Sequence, residues 1–188
     1  MTGENQPAPS ATNLVWLDLE MTGLDVERQS IIQAAVIVTD SALNELEEFA
    51  CDIWQPERAF EHMSPFVKDM HEKTGLLKRL KKSLIDQDEA EQRLLQLVAK
   101  WCPAGATLCG NSIWQDRKFI DRYMPGLGRY LGYRMVDVSS LKVLAGRWYG
   151  DGAVFTKPTA GAHDALVDIR NSIRELKHYR ETLFVAVS

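Results

Sequence analysis

Apolar and polar residues along the chain alternate between two rhythms. Leu14 to Glu20 and Ile31 to Val38 are nearly continuous apolar runs and read as strands buried on both faces. Glu45 to Trp54 alternates loosely and reads as a third strand, with Cys51 and Ile53 on one side. Asp40 to Asn44 has the composition of a hairpin loop, which makes this half of the sheet antiparallel. A helical rhythm then takes over. Pro65 to Gly75 reads as a short helix closed by Gly75, and Lys78 to Lys82 as a basic loop. Asp86 to Trp101 reads as an amphipathic helix with Ala90, Leu94, Leu97, Val98 and Trp101 on one stripe. Ala106 to Gly110 and Tyr133 to Val136 read as short strands. Each leads into a helix, one from Ser112 and one from Asp137 to Trp148. Gly150 to Gly161 reads as a loop, and a final helix runs from Ala162 to Arg180. There is no internal repeat. This order predicts an α/β fold, a mixed central sheet flanked by helices in one domain.

One feature conflicts with the apolar pattern. Asp18 and Glu20 lie inside the first strand, and the alternation of strand side chains puts both on one face, roughly 7 Å apart along the chain. Burying two neighbouring carboxylates is costly unless they share a proton or hold a cation. Composition narrows the setting. The 188 residues are 45% hydrophobic and 26% charged, enough for an ample core in one globular domain. The net charge of −4 provides no global basic field, which counts against binding long duplex nucleic acid but allows a substrate with one or two phosphates. Three cysteines, Cys51, Cys102 and Cys109, without CxxC spacing favour reduced thiols in the cytoplasm over a disulfide or zinc framework. Met1 to Thr12 reads as a disordered polar tail rather than a signal peptide, and no apolar run has the length of a membrane span.

Other carboxylates repeat the anomaly. Asp116 shares a helical stripe with Ile113, Ile120 and Tyr123; the alternative is a first-turn acid favoured by the helix dipole. In the last helix, Asp168 stands beside the stripe of Leu166, Ile169, Ile173 and Leu176. Asp164 competes with it, with capping as its default role. His163 precedes Asp168 by five residues; taken alone, such a histidine is more often structural. Asp18, Glu20, Asp116 and Asp168 form an all-oxygen set suited to Mg²⁺ or Mn²⁺ rather than zinc. Two such ions about 4 Å apart bridge a phosphate, and a neutral histidine nearby takes a proton from water. The implied chemistry is phosphodiester hydrolysis.

At this point a family resemblance emerges. Asp18-x-Glu20, Asp116 and His163-x-x-x-x-Asp168 resemble the DEDDh family of 3′→5′ exonucleases on the RNase H-like fold. The longer stretches Trp16 to Leu24, Cys109 to Ile113, Tyr133-Arg134, Asp137 to Lys142 and Asp168 to Arg170 are similar to its oligoribonuclease branch, over residues 13–184. The domain bounds follow from it: one exonuclease domain over 13–184, a tail over 1–12 and a second over 185–188. The resemblance implies that the four acids hold two divalent cations and that His163 is the general base. It places Leu24 as a wedge between the two terminal bases and Phe66, where tryptophan is usual, as the ring that stacks on the 5′ base. His71, Ser112 and Ser139 match polar contacts to substrate. Tyr133 and Arg134 match a cap that a partner subunit places on the 5′ phosphate, which implies a homodimer and very short RNA oligonucleotides as substrates. The chain departs from the pattern at Gln33 (usually Glu), Trp114 (usually Gly) and Val167 (usually Asp), and none of these removes a ligand or the base. Lys78 to Lys82 reads as a solvated loop, with attraction of RNA as its alternative. Competing functions are a proofreading-type DNA exonuclease or tRNA-trimming ribonuclease of the same fold, or a catalytically silent RNA-binding scaffold.

Overall fold

The computed structural model describes residues 8–158 and 164–185. Five strands form one sheet: β1 (Leu14–Met21), β2 (Ile31–Thr39), β3 (Glu45–Asp52), β4 (Ala106–Gly110) and β5 (Leu131–Asp137). Their spatial order is β3-β2-β1-β4-β5. β1, β2 and β3 pair antiparallel, whereas β4 runs parallel to both β1 and β5. The mixed sheet and its antiparallel half agree with the sequence pattern. Asp40 shapes the β2–β3 hairpin, its carboxylate accepting the Ala42 and Asn44 amides at 2.8 and 2.9 Å.

Among the described residues, seven α-helices flank the sheet: α1 (Pro65–Lys73), α2 (Leu76–Leu80), α3 (Gln87–Trp101), α4 (Trp114–Tyr123), α5 (Pro125–Tyr130), α6 (Val138–Tyr149) and α7 (Ala165–Thr182). Alternation along β1 divides the core in two. Val15, Leu17 and Leu19 face a cluster with Leu94 and Val98 of α3, Phe119 and Ile120 of α4, and Leu127 of α5. Trp16 faces the other layer, with Ala145 of α6 and Ile169 and Ile173 of α7. β2 is buried at every position, as expected of a strand paired on both edges and covered on both faces.

Two stretches differ from expectation. Lys78 to Leu80, expected in a basic loop, form the second half of α2. Gly75 takes a left-handed turn (φ 73°), and Leu76 and Leu80 then pack against Ile32 one helical turn apart. α5 was not predicted, because two glycines in six residues obscure its pattern. A distant side chain compensates: Glu91 of α3 accepts the Gly126 and Leu127 amides at 2.5 and 2.9 Å, capping the helix from outside. At the other end of the chain, the Ser10 amide donates to the Trp101 carbonyl at 2.9 Å, so the segment just before β1 meets the end of α3.

Candidate active site

The site lies where β1 and β4 end, beside the helices that follow β4 and open α7. Open α/β sheets bind ligands at such carboxyl ends. Asp18 and Glu20 share the Trp16 face of β1, opposite Val15, Leu17 and Leu19. Asp168 comes from the first turn of α7, which Asp164 caps by accepting the Val167 amide at 3.3 Å. Asp164 therefore takes the capping role and Asp168 the inward one. One carboxylate oxygen from each of Asp18, Glu20 and Asp168 lies within 4.8 Å of the other two.

Asp116 approaches from the first turn of α4 and is 7% exposed. Its Oδ1 accepts the Leu19 amide at 3.0 Å. β4 pairs with β1 only as far as Trp16 opposite Cys109, so the carboxylate satisfies a strand amide beyond the end of the ladder. Gly110 permits this turn. A Cβ there would sit 2.8 Å from the Ile113 Cδ1 and 3.2 Å from the Leu17 carbonyl.

Burial and crowding raise the proton affinity of Asp18, Glu20 and Asp116. Burial, then Asp168, Asp116 and Asp164, pushes Glu20 up to about 8 from an ordinary 4.5. Burial followed by the charges of Asp116, Glu20 and Asp168 holds Asp18 well above the usual carboxylate range, and Lys157 opposes them. Asp116 rises to about 7, mainly through burial, against the pull of its Leu19 hydrogen bond. Such a cluster favours protons or a hard cation, and its all-oxygen donor set fits Mg²⁺ or Mn²⁺.

The remaining predicted residues surround this centre. His71 is fully buried; its Nε2 lies 3.0 Å from the Met21 carbonyl and its Nδ1 3.8 Å from Glu20, which ties α1 to the end of β1. Leu24 and Phe66 are 71% and 77% exposed. Gln115 donates to the Leu24 carbonyl at 2.8 Å, fixing the turn after β1 against α4. Ser112 adopts a left-handed conformation (φ 51°), its amide donating to Asp137 at 2.9 Å and to the Ser139 hydroxyl at 3.1 Å. Tyr133 lies exposed on the edge strand β5, its ring 4.6 Å from the Arg134 guanidinium carbon. His163 lies outside the described residues.

The departures have local partners. Gln33 donates to Asp52 at 2.8 Å and accepts the Ala165 amide at 3.3 Å, docking the start of α7 on β2. Trp114 lies beneath the Lys118 ammonium, which is 4.2 Å from its ring. Cys51, Cys102 and Cys109 are buried free thiols.

Glu175 was missed. It is 0% exposed and joins Asn111, Tyr179 and Lys157. The available signal was the spacing of Asp168, Ser172, Glu175 and Tyr179, which repeats at helical intervals on one face of α7.

Residues 15–176 match the RNase_T exonuclease family. An oligoribonuclease of Francisella tularensis is 48% identical over 178 residues, covering 93% of this chain and 97% of that protein. This chain belongs to the oligoribonuclease family of exonucleases. It is accordingly a 3′→5′ exoribonuclease, a phosphodiester hydrolase. The human mitochondrial oligoribonuclease is 44% identical, with 93% of this chain and 74% of that protein covered. Among solved structures, exonuclease I of Methylocaldum szegediense aligns with a TM-score of 0.72 at 19% identity over 91% of this chain. E. coli exonuclease I in complex with a 5cy-dA13 oligonucleotide aligns with a TM-score of 0.67 at 14% identity over 90%. This chain spans 41% and 40% of those two chains, so they establish the RNase H-like exonuclease fold alone.

Proposed function

We propose that the protein hydrolyses short oligoribonucleotides, down to dinucleotides, from the 3′ end to 5′-mononucleotides at the Asp18–Glu20–Asp116–Asp168 cluster. The observation that carries this reading is the convergence of Asp18, Glu20 and Asp168 within 4.8 Å, with Asp116 buried beside them. The oligoribonuclease relatives support the substrate class.

The four acids would hold two divalent cations, Mg²⁺ or Mn²⁺, which would supply charge stabilisation to the attacking water oxygen and to the leaving oxygen of the phosphodiester. The chain's own residues do the rest. His163, as general base, takes the proton of the attacking water. The Leu19 amide keeps Asp116 oriented, and His71 holds α1 against Glu20. Leu24 separates the two terminal bases and Phe66 stacks on the 5′ base, roles that suit their exposure beside the site. Ser112 and Ser139, linked through Asp137, contact the sugar-phosphate. Tyr133 and Arg134 of a second copy cap the 5′ phosphate in a homodimer, a role in keeping with their place on an edge strand. No described helix is long and apolar enough to cross a membrane, and the three free thiols suit a cytoplasmic enzyme.

A 5′-labelled RNA dinucleotide and a longer RNA, each incubated with Mg²⁺ or with EDTA, test the proposal. Mg²⁺-dependent cleavage of the dinucleotide, lost in Asp116→Ala, is expected. Absence of dinucleotide cleavage overturns the reading, and faster attack on the longer strand transfers it to a proofreading or trimming exonuclease. A monomeric protein that still cleaves dinucleotides efficiently overturns the partner cap.

A further inference from the structure

Glu175 is a charged group in an unusual position. It is 0% exposed, near the middle of α7, on the side that faces the loop after α6. Its Oε1 accepts the Tyr179 hydroxyl at 3.1 Å, and its Oε2 accepts Asn111 Nδ2 at 3.1 Å. Both of those donors are neutral. The balancing charge is the Lys157 ammonium, 3.3 Å from the same Oε2. The network continues toward the nuclease site: Asn111 also donates to Ser172 at 2.8 Å, and the Ser172 hydroxyl donates to the Asp168 carbonyl at 2.9 Å.

Lys157 itself is 31% exposed along its side chain, and its charge acts on Asp18, the central carboxylate of the cluster. A lysine on a loop ordinarily samples many rotamers, and fixing it costs entropy. Here a buried carboxylate, whose one cationic partner among the described residues is Lys157, holds the ammonium against the oxygen that also accepts Asn111, the residue before Ser112. That arrangement addresses a difficulty the site presents. Two divalent cations do no more than neutralise four carboxylates, so a fixed ammonium nearby adds an attraction for an RNA phosphodiester that the cluster itself lacks. An ammonium has three N–H donors, so contact with Glu175 is compatible with contact to a phosphate oxygen.

We propose that Lys157 is a phosphate-binding residue of this site and that Glu175 is the positioning residue that holds its ammonium there. The inference rests on hydrolysis at the carboxylate cluster as read above. It adds one residue to the substrate contacts, held in place by a buried acid that touches no substrate.

Binding of a 5′-phosphorylated RNA dinucleotide in Ca²⁺, measured by calorimetry over a range of salt, is combined with steady-state hydrolysis in Mg²⁺. Lys157→Ala is expected to weaken binding and raise KM about tenfold, with little change in kcat, and to make binding less sensitive to salt. Lys157→Arg restores most of the loss. Binding of the uncharged nucleoside is unchanged. Glu175→Gln keeps an acceptor oxygen for Asn111, turns its amide as a donor to the Tyr179 hydroxyl oxygen, and removes the charge that holds Lys157. It is expected to raise KM about threefold and to add nothing once Lys157 is alanine. Lys100→Ala, a lysine on the far end of α3, controls for net charge. Lys157→Ala with binding, KM and salt sensitivity unchanged, in a wild-type background that cleaves the dinucleotide, overturns the inference and leaves the hydrolase reading intact. Additive effects of Glu175→Gln and Lys157→Ala reduce Glu175 to a packing role. A wild-type protein that binds the dinucleotide with the lysine-dependent salt sensitivity but does not cleave it overturns the hydrolase reading instead. If Glu175→Gln fails to fold, the Lys157→Ala and Lys157→Arg pair decides the question alone.

Discussion

Glu175 and the Asp18–Glu20–Asp168 group are connected through α7, and each puts carboxylate charge inside the fold. Around Glu175 the protein provides two neutral donors and one ammonium, so the charge is compensated from within. At the end of β1, other carboxylates are the strongest electrostatic neighbours of Asp18 and Glu20, and proton affinity climbs accordingly. A buried charge balanced by its own chain is an element of architecture. One surrounded mainly by other carboxylates draws protons or a cation. The difference separates holding a shape from holding a reagent, even though a single helix serves both.

The largest expected effect comes from the uncompensated group. Asp18→Asn should lower hydrolysis of a dinucleotide by at least about a thousandfold, since cation-borne charge stabilisation amounts to several kcal/mol. The same variant should melt at a higher temperature than wild type in EDTA, because it removes one charge from a crowded cluster. A lower melting temperature would break the comparison. Glu175→Ala should do the opposite and cost about 3 kcal/mol in chemical denaturation, by removing the carboxylate that pairs with Lys157 and accepts the Tyr179 hydroxyl.

Next in size is the linkage to pH. Glu20 titrates near 8 when folded and near 4.5 ordinarily, so the folded chain holds the extra proton between those values. Stability of the metal-free protein should therefore fall as pH rises through that window. Cations compete with the same protons, so the rise in melting temperature on adding Mg²⁺ should grow from pH 5 to pH 8. With saturating metal the gain is about 2.7 kcal/mol at a hundred times the dissociation constant. A metal-induced shift that is flat across this range would remove the acids from the binding site. The smallest effect belongs to Gln33→Glu. It replaces the amide donor to Asp52 with a like charge and should cost about 1 kcal/mol at neutral pH, less under acid conditions.

Strands and long helices were legible where side-chain period and burial agree. β1, β2 and α3 were read almost to their ends, because each buries a long apolar face on its own layer. α5 was not, since its stability comes from Glu91, more than thirty positions away, rather than from its own residues. α2 was hidden for a related reason. Its lysines and arginine dominate the sequence, while the two leucines that dock it are evident only once Ile32 is beside them. At the site, Asp18, Glu20, Asp116 and Asp168 were noticed because each interrupts or borders an apolar pattern. Glu175 escaped notice because its meaning depends on Asn111 and Lys157, which belong to other segments.

The sequence by itself determined the pleat of β1, and with it the shared face of Asp18 and Glu20, because strand alternation is a local property of the backbone. It also determined the family, through motifs spread along nearly the whole chain. Only the tertiary structure decided that Asp168 joins those acids while Asp164 caps its helix, and that Asp116 completes the strand end through the Leu19 amide. The charge balance of Glu175 was decided there as well. These are long-range matters: proton affinity and ion pairing depend on what other segments bring to the same volume, and no local rhythm of residues encodes that distance.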